Sequence, residues 1–121
     1  MACVLVIDDD PDVLLLVRLL LEREGHAVAE GRTGHQAVDG VRTQSPDLVV
    51  LDVGLPELDG IGALTAIRKF SRVPVLLLTA HASERDEERG RRAGADAFLA
   101  KPFGAEAFGR VIAGLLGAGV P

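Results

Sequence analysis

Five short apolar runs recur along the chain, Cys3 to Ile7, Ala27 to Ala29, Leu48 to Leu51, Val75 to Leu78 and Ala97 to Leu99, and each is followed by a segment with helical signals. The central runs are apolar at nearly every position rather than every second one, which is how a strand covered on both faces reads. Strands that alternate with helices build βαβ units around a mostly parallel sheet. At 121 residues the chain is one α/β domain, long enough to bury a core without metals or disulfides. With four Phe and no Trp or Tyr, that core has to be aliphatic.

Local signals place the helices. Asp10-Pro11 supplies an N-cap acid and a proline at the first helical position, Val13, Leu16, Val17, Leu20 and Leu21 make an inward stripe, and Gly25 stops the segment. Thr33 and Gln36 form a capping box for a second helix with Ala37, Val38 and Val41 on its apolar face, ended by Pro46. Asp59 caps a third, carried by Ile61, Leu64 and Ile67, and a fifth has Phe108, Val111, Ile112 and Leu115 at the spacing of one helical face. The expected domain is 1–116, with 117–121 a Gly-rich tail or the start of a linker.

The fourth helix differs. Ser83 to Arg92 holds four acids, four bases and an interior glycine, with no apolar stripe. Pairs Glu87 with Arg91 and Glu88 with Arg92 would each add about 0.2 to 0.5 kcal/mol, whereas Gly90 costs about 1 kcal/mol relative to Ala. A weakly anchored helix is expected, either simply solvated or a movable element.

A formal charge of −5 and a pI near 5.1 argue against a general nucleic-acid or membrane surface, which needs clustered Lys and Arg. The single cysteine, Cys3, lies in the first apolar run, where a small buried thiol is the default. No basic segment precedes a long apolar one, and no eighteen-residue apolar stretch occurs, so a cytoplasmic home is expected.

Polar residues gather where the apolar runs end. Asp8 and Asp9 follow the first run, Asp52 the third, Thr79 the fourth and Lys101 the fifth. Taken alone, Asp52 reads as a turn residue before Gly54 and Pro56. In a parallel sheet, however, these ends share one edge, where ligands collect, so carboxylates, a hydroxyl and an ammonium converge. Carboxylates that close repel, and a hard divalent cation such as Mg²⁺ relieves them. Lysine both neutralises charge and grips a phosphoryl oxygen.

Val4-Leu5-Val6-Ile7-Asp8-Asp9-Asp10, Asp47-Leu48-Val49-Val50-Leu51-Asp52 with Pro56 and Asp59-Gly60, Val75 to Ala80, Ala93-Gly94-Ala95-Asp96 and Lys101-Pro102-Phe103 stand in order at the right intervals. From about residue 2 to residue 116 the chain resembles the receiver domains of two-component response regulators. The resemblance implies a single doubly wound, flavodoxin-like sheet of five parallel strands in the order 2-1-3-4-5 with five helices. It implies that Asp52 is the nucleophile, taking a phosphoryl group from a histidine kinase or histidine phosphotransfer protein to form an aspartyl phosphate. Asp9, Asp52 and the backbone carbonyl of Gly54 would hold Mg²⁺, with Asp8 acting through a bound water and Lys101 stabilising charge. Thr79 and Phe98 look like the family's switch pair, with the Ala80 amide also drawn to the phosphoryl group, and Lys101-Pro102 resembles its cis peptide. Asp10 stays a helix cap. An output domain or downstream protein would read the surface of helix four, strand five and helix five; no direct nucleic-acid or membrane contact is implied.

Departures from the family pattern are specific. Gly54 replaces a larger side chain often seen two residues after the phosphoacceptor, and His81 stands two after Thr79, more simply a surface residue than a chemical one. The charged residues of transcription-factor receivers are reduced to Asp96-Ala97 and, in the last helix, to Arg110, which puts the usual dimer face in doubt. A Mg²⁺-dependent aspartyl phosphatase of the haloacid-dehalogenase kind is a poor fit, since Asp8-Asp9-Asp10-Pro11-Asp12 ends in Asp where Thr or Val belongs and no chain remains for a cap domain. A receiver fold kept only for protein interaction would have lost an acid, the Thr or the Lys, and none is missing.

Overall fold

The computed structural model describes residues 1–80 and 83–117. The elements run β1 (Cys3–Ile7), α1 (Pro11–Arg23), β2 (Ala27–Gly31), α2 (Gly34–Gln44), β3 (Leu48–Asp52), α3 (Gly60–Ile67), β4 (Val75–Thr79), α4 (Glu84–Ala93), β5 (Ala97–Ala100) and α5 (Ala105–Gly117). All neighbouring strands are parallel and the sheet order is β2-β1-β3-β4-β5, as the resemblance implies. The chain reverses its direction of winding after β2, so the C-terminal ends of β1 and β3 lie side by side.

Both faces of the sheet are covered. Leu5, Ile7, Val49, Leu51 and Leu77 pack against α2 and α3, while Val4, Val6, Leu48, Val50, Leu76 and Leu78 pack against α1 and α5 through Leu14, Val17, Leu21, Phe108 and Ile112. Every residue of β3 and β4 is buried, which explains their unbroken apolar sequence. No helix among the described residues is long and apolar enough to cross a membrane.

Each predicted N-cap is in place: Asp10 accepts from the amide of Asp12, Thr33 from Gln36 and Asp59 from Gly62; Ser83, where no cap is predicted, accepts from Asp86. The capping box is displaced by one residue, because the Gln36 side chain accepts from the amide of Arg32 rather than that of Thr33. Gly25 ends α1 with φ +88. Helix α5 includes Gly117, and 118–121 lie outside the described residues.

Two local expectations fail. The buried stripe of α1 runs through Leu14, Val17 and Leu21, and Leu16 is 43% exposed, because the helix carries apolar residues nearly all round and spacing alone does not fix its phase. Cys3 is half-buried rather than buried, since it opens β1 at the strand's N-terminal end.

Candidate functional site

The C-terminal ends of the strands bring the singled-out residues together. Asp8 directly follows β1 and is fully buried, Asp52 closes β3 at 5% exposure and Thr79 closes β4 at 3%. Lys101 follows β5, its amide donating to the Thr79 carbonyl at 2.7 Å, and its bond to Pro102 is cis, as the resemblance implies. From there the Lys101 ammonium spans both acids, at 2.8 Å from Asp8 Oδ2 and 3.0 Å from Asp52 Oδ1. The other Asp8 oxygen accepts from the amide of Asp10 at 2.9 Å.

Asp9 is exposed, yet Asp8, Asp9 and Asp52 each offer an oxygen within 4.8 Å of the others. Three carboxylates against one ammonium leave an excess of two negative charges, and the donors are all hard oxygens, so the set suits a divalent cation of the magnesium class. Asp10 is not in the group; its side chain is spent on the α1 cap.

Burial drives the Asp52 carboxyl upward from its ordinary range, and the nearby Asp8 adds to this, against the pull of Lys101 and of a hydrogen bond from the Gly54 backbone. Burial pulls the Lys101 ammonium downward, but hydrogen bonds and attraction to both acids outweigh it and its pKa is raised. The site therefore holds a carboxylate that water has mostly left beside a lysine that stays protonated.

Backbone packing makes the approach to Asp52. A Cβ on Gly60 would stand 2.2 Å from the Asp52 carbonyl oxygen, so only glycine lets α3 start against the end of β3. By contrast, a Cβ on Gly54 would meet only Asp52 Oδ2 at 3.7 Å, leaving this side of the carboxylate uncrowded. Across the sheet Phe98 pairs in register with Leu77, two residues before Thr79, and is half-buried. Ala80 is exposed, and His81 lies outside the described residues.

Sequence reasoning treated Gly60 as a motif letter and Gly90 as a flaw in α4. The structure gives both steric work, and an Asp cap followed directly by glycine was the available signal for the first. It also overlooked Arg68, whose Nε and Nη2 donate to the Gly94 carbonyl at 3.1 and 2.9 Å and whose Nη2 reaches Asp96 at 3.1 Å. Nothing local marks a pair 28 residues apart.

A family model for the response regulator receiver domain matches residues 4–113. The transcriptional regulatory protein KdpE of Mycobacterium tuberculosis (strain ATCC 25618 / H37Rv) is 39% identical over 108 residues, covering 89% of this chain and 48% of its own length. The alkaline phosphatase synthesis transcriptional regulatory protein PhoP of Bacillus subtilis (strain 168) is 41% identical over 101 residues, 83% of this chain and 42% of that protein. CpxR of Escherichia coli (strain K12) is 43% identical over 100 residues, with 83% and 43% covered. The chain thus spans just under half the length of these curated relatives. Among solved structures, a CheY-like receiver domain protein from Methanospirillum hungatei JF-1 superposes with a TM-score of 0.91 at 25% identity, covering 98% of this chain and 95% of that one. A LuxR-family response regulator from Aurantimonas sp. SI85-9A1 gives 0.91 at 29% identity, with 98% and 86% covered.

Proposed function

This chain belongs to the family of response regulator receiver domains, and on that premise we propose that it is a phosphoacceptor switch whose Asp52 is phosphorylated by a histidine kinase or a histidine phosphotransfer protein. The observation that carries the reading is the single ammonium of Lys101 held between Asp8 and Asp52. A structural ion pair has no need of a second and third carboxylate, whereas phosphoryl transfer needs a nucleophile, cations and alignment.

An Asp52 oxygen attacks phosphorus as the P–N bond to the donor imidazole breaks, and the electron pair leaves with the imidazole nitrogen. An acyl phosphate is formed. Lys101 supports charge on the phosphoryl oxygens from where it already stands. Asp9, Asp52 and the Gly54 carbonyl would hold Mg²⁺, with Asp8 acting through a water; when bound, the ion neutralises phosphoryl charge. Partial dehydration of Asp52 leaves it less solvent to shed before attack.

The phosphoryl group then draws the Thr79 hydroxyl and the Ala80 amide toward it, and the space vacated near Thr79 lets the Phe98 ring turn inward. A few charge-assisted hydrogen bonds suffice to bias two states a few kcal/mol apart. An output domain or downstream protein reads the altered face of α4, β5 and α5 in the cytoplasm.

Intact mass after incubation with Mg²⁺ and a small acyl phosphate or phosphoramidate tests this. One added phosphoryl group that requires Mg²⁺ and is lost in Asp52→Asn is the expected result. No uptake by folded, Mg²⁺-bound protein would overturn the phosphoacceptor reading and leave a receiver fold that serves protein interaction alone.

A further inference from the structure

Gly90 is the only buried residue of α4. An added Cβ there would stand 2.7 Å from Phe98 Cε2, 3.4 Å from Phe98 Cδ2 and 2.7 Å from Leu77 Cδ1. The helix backbone therefore lies directly on the ring that the proposed switch turns, and a methyl group at position 90 requires the ring, Leu77 or the helix to move.

Among the described residues, the ties that hold α4 gather at its C-terminus. At its C-terminus the Gly94 carbonyl takes two hydrogen bonds from Arg68, and Asp96 Oδ2 accepts from both Arg68 and the Val75 amide, the latter at 2.8 Å. The Ala95 amide also returns to the Gly90 carbonyl at 3.0 Å. Toward α3, among the described residues, the helix has one ion pair, Arg89 with Asp59 at 4.0 Å, between side chains 51% and 42% exposed. Pairs that open contribute little. With Ala93 packed on the core beside the Arg68 tie and Gly90 as its one buried residue, α4 is a lever with its fulcrum at Gly94.

We propose that Gly90 is the positioning residue that couples α4 to the Phe98 ring: ring and helix backbone occupy one contact, so an inward turn of the ring releases α4 and any bulk at position 90 drives the same separation. The proposal rests on the switch reading above for the ring's motion; the contact itself is independent of it. Replacing glycine by alanine inside a helix ordinarily stabilises it, so a steric clash reverses the usual sign.

The test is a double-mutant cycle in urea on the full chain, with Gly90→Ala, Phe98→Ala and both together. Gly90→Ala is expected to lower the unfolding midpoint in the parent and to cost less, or to raise it, in the Phe98→Ala background, where Leu77 can move into the vacated space. Should Gly90→Ala alone fail to fold, rescue by Phe98→Ala reads the same coupling. Equal losses in both backgrounds overturn the contact.

The second readout is one that loosened packing would not produce. Backbone amide NMR shifts of α4 in unphosphorylated Gly90→Ala are expected to lie on the line joining the parent to the phosphorylated parent. Shifts off that line, or α4 shifts identical to the parent's, overturn the coupling. If the parent takes up no phosphoryl group, the phosphoacceptor reading has failed by itself and the urea cycle still decides the contact.

Discussion

Lys101 serves two carboxylates with one ammonium, and Asp8 has no exposed surface through which water can replace it. Removing one partner of a buried pair strands the other, at a cost of about 3 kcal/mol or more. Lys101→Met is expected to lower the free energy of unfolding by that amount in Mg²⁺-free buffer at neutral pH, read in urea; an unchanged midpoint would show that the ammonium carries no structural charge. The sign with pH follows from its raised pKa: the contribution is complete below the ordinary 10.5 and is lost as pH climbs through the higher folded value. Asp52 behaves oppositely. Its folded pKa is also raised, but for a carboxyl this favours the protonated form, so the native state gains as pH falls through that value and the gain is complete below the ordinary 3.8. Ionised Asp52 is thus a burden at neutral pH. Asp52→Asn is expected to be more stable than the parent at pH 7, by roughly 0.5 to 2 kcal/mol, and the two denaturation curves should converge as pH approaches 4. A constant gap across that range would point to packing rather than charge. A gain in stability on Asp52→Asn would favour the proposed role of Asp52 over that of a turn residue, since a turn residue has no reason to be kept ionised at a cost.

At the scale of elements, the tie between α3 and the corner joining α4 to β5 matters more than any helix surface pair. Arg68 is 13% exposed at its side chain and its planar fork meets the Gly94 carbonyl, Asp96 and the Ser71 carbonyl together. Lysine offers a point charge in place of that fork. Arg68→Lys is therefore expected to cost about 1.5 to 3 kcal/mol, the range for hydrogen bonds to charged groups, and to speed hydrogen exchange at the Ala95 and Asp96 amides, which bond to Gly90 and Val75. Exchange rates matching the parent's would remove the fulcrum from α4. This element also shows where sequence reading stops. The caps at Asp10, Thr33 and Asp59 were legible because a cap bonds only two or three residues away. The weak anchoring of α4 was legible from its charges, and the Glu88–Arg92 pair forms at 2.7 Å, whereas Glu87 and Arg91 make no ion pair. Arg68 and Gly90 were not legible, because their partners stand on elements brought near only by the tertiary fold. The phase of α1 was ambiguous for a different reason, a surplus of leucine: Leu15, Leu16 and Leu19 satisfy helical spacing as well as the buried set does and remain exposed.

For the molecule as a whole, the alternation of apolar runs and helical segments was enough for a five-stranded parallel sheet, and the convergence of Asp8, Asp52, Thr79 and Lys101 followed from parallel strands alone. Strand order was not derivable from periodicity, since a run such as Leu48 to Leu51 reads the same in any interior position; it came through the resemblance. The same topology dictates how the site and the fold share free energy. Its groups come from the end of β3 and from the residues that follow β1 and β5, up to 93 residues apart, so the acidic pocket exists only when the sheet is assembled. A cation bound there therefore stabilises the whole chain by mass action, about 2.7 kcal/mol when its concentration is 100 times its dissociation constant. Thermal or urea midpoints are expected to rise with Mg²⁺ at constant ionic strength, to lose most of that rise in Asp9→Asn, and to keep it in Asp10→Asn, which removes a charge but keeps a capping oxygen for α1. The Asp10 control separates a bound ion from general relief of the chain's negative charge, because both substitutions remove one acid from the same exposed stretch. Equal loss of the Mg²⁺ response in the two variants would mean that the ion acts through the overall field, and a midpoint indifferent to Mg²⁺ in the parent would mean that the three carboxylates do not bind it.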